Sequence, residues 1–162
     1  MSDGSTGTDR SAMEPTAVTA AFWEALYRHD WDDVASFFGE ESIYFDVPTG
    51  PATSAKGPDD IVARLRLGLD TVSGHDHGPR TVVISDPPVV MTEHTEIWHW
   101  PGGESATLPF VSVQHVTDGI ITMWKDYWDY STLLGAAPAE WQERLFTADL
   151  HWIHDATGHP DI

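Results

Sequence analysis

Between Ala17 and His29, apolar residues recur at Val18, Ala21, Phe22, Ala25 and Leu26, the spacing of one buried helical stripe. This predicts a first helix. Asp30 is placed to cap a second, shorter helix through Phe38, with Val34, Phe37 and Phe38 facing inward and Gly39 ending it. Ser42 to Val47 turns aromatic and β-branched and stops at Pro48, which predicts a strand, whereas Thr49 to Gly57 has the composition of a loop. Pro58 then opens a helix whose Ile61, Leu65, Leu69 and Val72 fall about four apart before a stop near Gly74. From Arg80 onward the period shortens to that of strands, over Thr81 to Ser85, Val89 to Trp100, Ala106 to Val116 and Ile120 to Tyr130. Asp86-Pro87-Pro88, Pro101-Gly102-Gly103 and Thr117-Asp118-Gly119 are short turns, so consecutive strands should run antiparallel. A last helix around Pro138 to Phe146 precedes a tail carrying His151, Trp152, His154 and His159. Helices first and a strand meander afterwards predict an α+β domain, its helices covering one face of a curved antiparallel sheet.

A length of 162 residues fits one domain. Residues 1–16 are rich in Ser, Thr, Gly and Asp without a hydrophobic period and read as a disordered tail, residues 17–146 as the domain, and 147–162 as a second tail that could reach over a pocket mouth. Charge narrows the partners. A formal net charge of -18 repels polyanions, which argues against nucleic acid and anionic membrane. No apolar run reaches the length of a membrane span, and no basic start followed by an apolar stretch marks a signal peptide. With no cysteine, disulfides, a Cys nucleophile and thiolate metal sites are excluded, and a cytoplasmic address is the default expectation.

Alternation then brings chemistry together, because side chains two apart on a strand share a face. Tyr44 pairs with Asp46; His94, Glu96 and Trp98 form a second set, Trp124, Asp126 and Trp128 a third, and Leu108 and Phe110 a fourth. If all four sets line the concave face, an aromatic pocket would hold three carboxylates, one imidazole and one phenol. A few convergent polar groups in an apolar cleft are the signature of a small-molecule site. Acids are costly to bury unless they pair or function, so Asp126, Glu96, His94, Tyr44 and Asp46 are the candidate catalytic groups, and Trp98, Leu108, Phe110, Trp124 and Trp128 the candidate substrate walls. The opposite faces carry Ile97, Val111, Val113, Met123 and Tyr127, an apolar surface that predicts a homodimer interface. His75-Asp76-His77 and His151 to His154 read as solvated loop histidines rather than metal ligands, so neither a metal nor another cofactor is expected. The sequence offers neither a phosphate-cradling glycine loop nor a nucleophile elbow.

From about Ala17 to Pro138 the order of elements resembles the NTF2-like, or SnoaL-like, cone fold. Within it the motifs are similar to those of limonene-1,2-epoxide hydrolase. Thr92-Glu93-His94-Thr95-Glu96 occupies the place of that family's Thr-Glu-Arg-x-Asp, and Lys125-Asp126-Tyr127-Trp128-Asp129 that of its Arg-Asp-Tyr-Phe-Asp. Tyr44-Phe45-Asp46-Val47-Pro48 corresponds to its Tyr-x-Asn-x-Pro. Carried over residue by residue, the resemblance implies Asp126 as the base that activates water, Tyr44 as a group that holds it, and Glu96 as the acid that protonates the epoxide oxygen. Three positions depart: His94 stands where the family has Arg, Glu96 where it has Asp, and Asp46 where it has Asn. Imidazole lacks the bidentate fork of guanidinium, and no Lys or Arg between Arg80 and Lys125 replaces it.

Asp46 with Pro48 and Lys56-Gly57 also resembles the ketosteroid isomerase segment in which a strand-end Asp abstracts a proton next to a carbonyl. The expectation is therefore a cofactor-free acid–base enzyme on a small apolar oxygenated molecule, terpenoid, polyketide or steroid-like. Epoxide hydrolysis comes first. An isomerase, dehydratase or cyclase is the alternative, and a noncatalytic binding module the third reading.

Overall fold

A computed structural model describes residues 9–162. Pro15 starts the first helix, α1 (Pro15–Tyr27), which buries Val18, Phe22, Ala25 and Leu26, and Asp30 caps α2 (Trp31–Ala35) by accepting the Asp33 N–H at 3.2 Å. β1 (Ile43–Asp46) follows, then a 3₁₀ turn (Pro51–Thr53), β2 (Ala55–Lys56) and α3 (Pro58–Leu69). β3 (Gly74–His77), β4 (Val82–Asp86), β5 (Val89–His99), β6 (Ser105–Thr117) and β7 (Ile120–Tyr127) complete the sheet, and α4 (Tyr130–Ala136) and α5 (Ala139–Thr147) close over its end. The sheet runs β2-β1-β7-β6-β5-β3, with β4 also on β5, and the helices cover its concave face. Phe22 packs edge-on against Trp124 at 4.9 Å and Phe37 at 5.7 Å, tying α1 to the sheet. Burying each ring contributes about 1.5–3 kcal/mol.

The sheet is mixed rather than antiparallel throughout. β1 lies parallel to β7, with Tyr44 beside Trp124 and Asp46 beside Asp126, while the other pairs are antiparallel. Short turns dictate direction only between consecutive strands; β1 and β7 meet through the rest of the chain, so the turns were silent about them. β2 and β3 fall where loops were read. Polar His75-Asp76-His77 carries no strand pattern, yet an open edge of β5 supplies backbone partners from Glu96 to His99. α4 interrupts the strand expected to reach Tyr130, because the Asp129 carboxylate accepts the Ser131 N–H at 3.0 Å and turns the chain into a helix.

Both ends of the described segment, residues 9–162, pack on the body. Residues 1–8 of the expected N-terminal tail lie outside the described residues, but Arg10 pairs with Asp33 at 2.8 Å and covers the Phe37 ring at 3.8 Å. Gly119, at φ 77°, leaves room for it, since a Cβ there would meet the Arg10 backbone at 2.5 Å. The C-terminal segment bridges Ser54 through the His154 N–H at 2.7 Å and seats Ala156 on Ile43, Phe45 and Met123. Met123 is therefore buried within the chain, which removes it from the exposed outer patch; Tyr127 and Met91 remain exposed there. Alternation gave its face correctly, and only the tail's path covers it.

Candidate active site

A cavity of about 290 Å³ opens between the concave sheet face and the helices. Asp46 and Tyr44 reach it from β1, Glu96 and Trp98 from β5, Phe110 from β6, and Trp124 and Asp126 from β7, with Trp128 just beyond. Arg64, Leu65 and Gly68 of α3 form the opposite wall, and Leu133, Trp141 and Trp152 close the end. A Cβ at Gly68 would stand 3.2 Å from Trp98, so the glycine lets the indole lie against the helix. Its carbonyl accepts the Trp141 indole N–H at 2.9 Å, fixing α5 to α3.

Three acids face this space in different company. Asp46 Oδ1 accepts from the Tyr44 hydroxyl at 3.0 Å and the Trp128 indole at 2.9 Å, while Oδ2 forms an ion pair with Arg64 at 2.8 Å. Arg64 is itself buried, and it also donates to the Thr53 carbonyl and to Thr49 Oγ1 at 3.3 Å. Asp126 accepts from Ser112 Oγ and from the Trp124 indole, both at 2.5 Å and both on Oδ1. Burial and the nearby Asp46 charge push its carboxyl well above the ordinary range, with Glu96 adding to the shift and Ser112 and Trp124 opposing it. Among the described residues no cation pairs with Asp126. Glu96 Oε2 accepts from the Trp98 indole at 2.8 Å and pairs with His75 Nε2 at 3.0 Å, and His75 Nδ1 meets His29 Nε2 at 3.2 Å. Burial pushes Glu96 up, but the charge and hydrogen bond of His75, with His94 and Trp98, outweigh it and hold the carboxyl below its ordinary range. Tyr44, fully enclosed and beside Asp46, is pushed far up and stays a neutral phenol.

The family model of the SnoaL-like domain matches residues 19–124. This chain belongs to the SnoaL-like family. Its fold is shared with solved relatives at low identity. A protein of Shewanella putrefaciens assigned as a SnoaL-like polyketide cyclase superposes with TM-score 0.67 at 18% identity, covering 75% of this chain and 94% of that one. An LEH-like epoxide hydrolase of M. tuberculosis gives 0.62 at 24%, covering 75% and 86%. TerC, crystallised with polyporic acid, gives 0.65 at 19%, covering 75% and 96%. Such identities establish the SnoaL-like, NTF2-like cone and leave the reaction to the site.

Of the ten residues singled out by alternation, eight line this SnoaL-like cavity. The other two do not. Leu108 is sealed in the core, and His94 turns away between Trp23, at 4.4 Å, and Phe110, at 5.5 Å, toward a second cleft. Position 94 therefore bridges no acids, and the cation of the site comes from Arg64 on α3. The sequence held that signal: Arg64 falls within the buried stripe of Ile61, Leu65 and Leu69, where a charged residue needs a partner. Ser112 shares the parity of Phe110 and was equally legible. His75 was not, because its burial depends on β3 docking at the sheet edge. The expected tail contributes Leu150, Trp152 and Ile153 to the cavity wall, and Arg64 lies 5.0 Å over the Trp152 ring. Among the described residues no helix is long and apolar enough to cross a membrane.

Proposed function

We propose that the protein catalyses proton transfer on a small, apolar, carbonyl-bearing molecule, as an isomerase or cyclase, with Asp126 as the acid and Asp46 as the base. The observation that carries this reading is the contrast between two neighbouring carboxyls: Asp46 is paired with Arg64, and Asp126 is buried, with no cation on it among the described residues, and driven toward its neutral form. Because both hydrogen bonds to Asp126 fall on Oδ1, its proton sits on Oδ2. A neutral carboxyl in an apolar site is a donor for a developing oxyanion, and a carboxylate beside it is a base.

In the step, the Asp46 carboxylate takes a proton from the carbon next to the carbonyl, and the C–H electron pair becomes the enol double bond. The carbonyl oxygen takes the Oδ2 proton of Asp126. Isomerisation follows when Asp46 returns its proton to another carbon, and cyclisation when the enol carbon attacks a second carbonyl of the same molecule. The Trp and Leu walls favour a flat, apolar substrate. The roles differ from those implied by the resemblance, which made Asp126 the base; with no bridging arginine among the described residues, burial and the neighbouring acids outweigh the hydrogen bonds of Ser112 and Trp124 and drive Asp126 toward its neutral form.

One observation favours epoxide opening as a second reading. The Tyr44 phenol beside Asp46 can accept a hydrogen bond from a water, which Asp46 would deprotonate while Asp126 protonates the epoxide oxygen. Solvent isotopes separate the two. Proton transfer from carbon places solvent deuterium in the substrate and leaves its oxygen count unchanged, whereas hydrolysis places one labelled oxygen in a diol. Asp46→Asn should cut the exchange reaction about 100-fold or more. Labelled diol from a panel of terpene epoxides, with no exchange on cyclic ketones, would overturn the first reading in favour of the second.

A further inference from the structure

On the same side of the sheet as Asp126 lies a second cleft of about 410 Å³, between α1 and the strands β4 and β5. Its wall includes Thr19 Oγ1, Trp23 Nε1 and Thr92 Oγ1, three buried polar atoms without a hydrogen-bond partner among the described residues. Buried donors and acceptors of this kind are satisfied by water, and three on one wall mark a hydrated space. Tyr27 and His94 share that wall. From them a continuous line of contacts runs across the helix-covered face of the sheet from β5 to β7: Tyr27 Oη to His94 Nδ1 at 3.3 Å, His94 Nε2 to Ser112 Oγ at 3.0 Å, and Ser112 Oγ to Asp126 Oδ1 at 2.5 Å.

The direction of these bonds is fixed by counting protons. Ser112 has one hydroxyl proton, and donating it to Asp126 obliges Oγ to accept from His94 Nε2–H. His94 Nδ1 then accepts from the Tyr27 hydroxyl. The imidazole suits this use, since burial pushes its pKa down and leaves it neutral, with one nitrogen donating and the other accepting.

We infer that the second cleft is the proton port of the active site, feeding Asp126 through Tyr27, His94 and Ser112. The inference rests on Asp126 being the acid of the proposed reaction. As Asp126 gives the Oδ2 proton to the substrate oxygen, Oδ1 takes the Ser112 proton, Ser112 takes the His94 Nε2 proton, His94 Nδ1 takes the Tyr27 proton, and Tyr27 takes one from a hydronium ion in the cleft, which leaves as water. Each O–H or N–H bond broken is matched by one formed, no electrons change hands, and Asp126 never holds a buried charge. When the enol oxygen gives its proton back, the line runs in reverse. A substrate that seals the central cavity therefore leaves this route open. His94 touches no substrate; it is a positioning and relay residue, which explains a histidine on the cavity parity that faces away from the cavity.

Two measurements test this, one of them independent of turnover. Nitrogen-15 NMR of the unliganded protein should find His94 neutral with its proton on Nε2, and Ser112→Ala should shift that nitrogen while leaving Asp126 protonated in the infrared. A proton on Nδ1 in the wild type, or no response to Ser112→Ala, would overturn the relay whatever the reaction proves to be. In turnover, Tyr27→Phe and His94→Gly should each lower kcat roughly 10- to 100-fold with little change in KM. Free imidazole should restore His94→Gly saturably by entering the cleft. Wild-type kcat in both variants, or a folded His94→Gly that imidazole leaves slow, would reject the port. Full activity in Asp126→Asn with the NMR result intact would reject the acid and keep the wiring.

Discussion

Asp46 and Asp126 stand side by side in the parallel ladder of β1 and β7 and face the same cavity, yet their surroundings differ completely. Asp46 meets the buried guanidinium of Arg64, a phenol and an indole. Asp126 meets a hydroxyl and an indole, with no cation among the described residues to offset its burial. Two carboxylates so close cannot both ionise cheaply, and of the two it is Asp46 that meets the guanidinium of Arg64 on α3. In the proposed reaction one residue type thus supplies an acid and a base, the difference between them resting on a helix that the strands themselves do not encode.

Removing the cause of this difference should have the largest effect. Arg64→Met leaves Asp46 buried without its cation, and breaking such a pair typically costs about 3–5 kcal/mol. Urea unfolding should show that loss, and the two aspartates should come to share one proton in the infrared; an unchanged unfolding midpoint would mean that Arg64 does not set the division.

Asp126→Asn acts on the other side. Turnover should fall about 100-fold, because the amide keeps the shape and the contact to Ser112 but cannot give up a proton to the substrate. Stability should move the opposite way. Asp126 has a folded pKa raised above its unfolded value, so the fold holds a proton that the unfolded chain has released, and its contribution declines as pH rises from the ordinary carboxylate range through the folded pKa. The variant should lose that decline and overtake the wild type in unfolding experiments at rising pH. Parallel pH curves for the two proteins would count against a neutral Asp126.

The smallest effect belongs to Thr49, whose hydroxyl holds Arg64 at 3.3 Å. Thr49→Val should cost about 1 kcal/mol and loosen the guanidinium without removing it, leaving turnover within a fewfold of wild type. A loss as large as that of Arg64→Met would show that the arginine's placement, more than its charge, divides the two acids.

Strand alternation by itself determined which face Tyr44, Asp46, Glu96, Trp98, Phe110, Trp124, Asp126 and Trp128 share, because the period of two is a local property of extended backbone. Helical spacing likewise placed α1 and α3, and short turns ordered the meander. Tertiary structure decided the rest. The parallel meeting of β1 and β7 joins segments distant in sequence, and β3 exists because the β5 edge offers partners to a polar stretch. His94 shares the cavity parity yet turns toward α1, since the rings of Trp23 and Phe110 occupy its two sides. The partners of Asp46 and Glu96 are Arg64 and His75, residues 18 and 21 positions away from the acids they serve, and such pairing follows distance in space rather than in sequence.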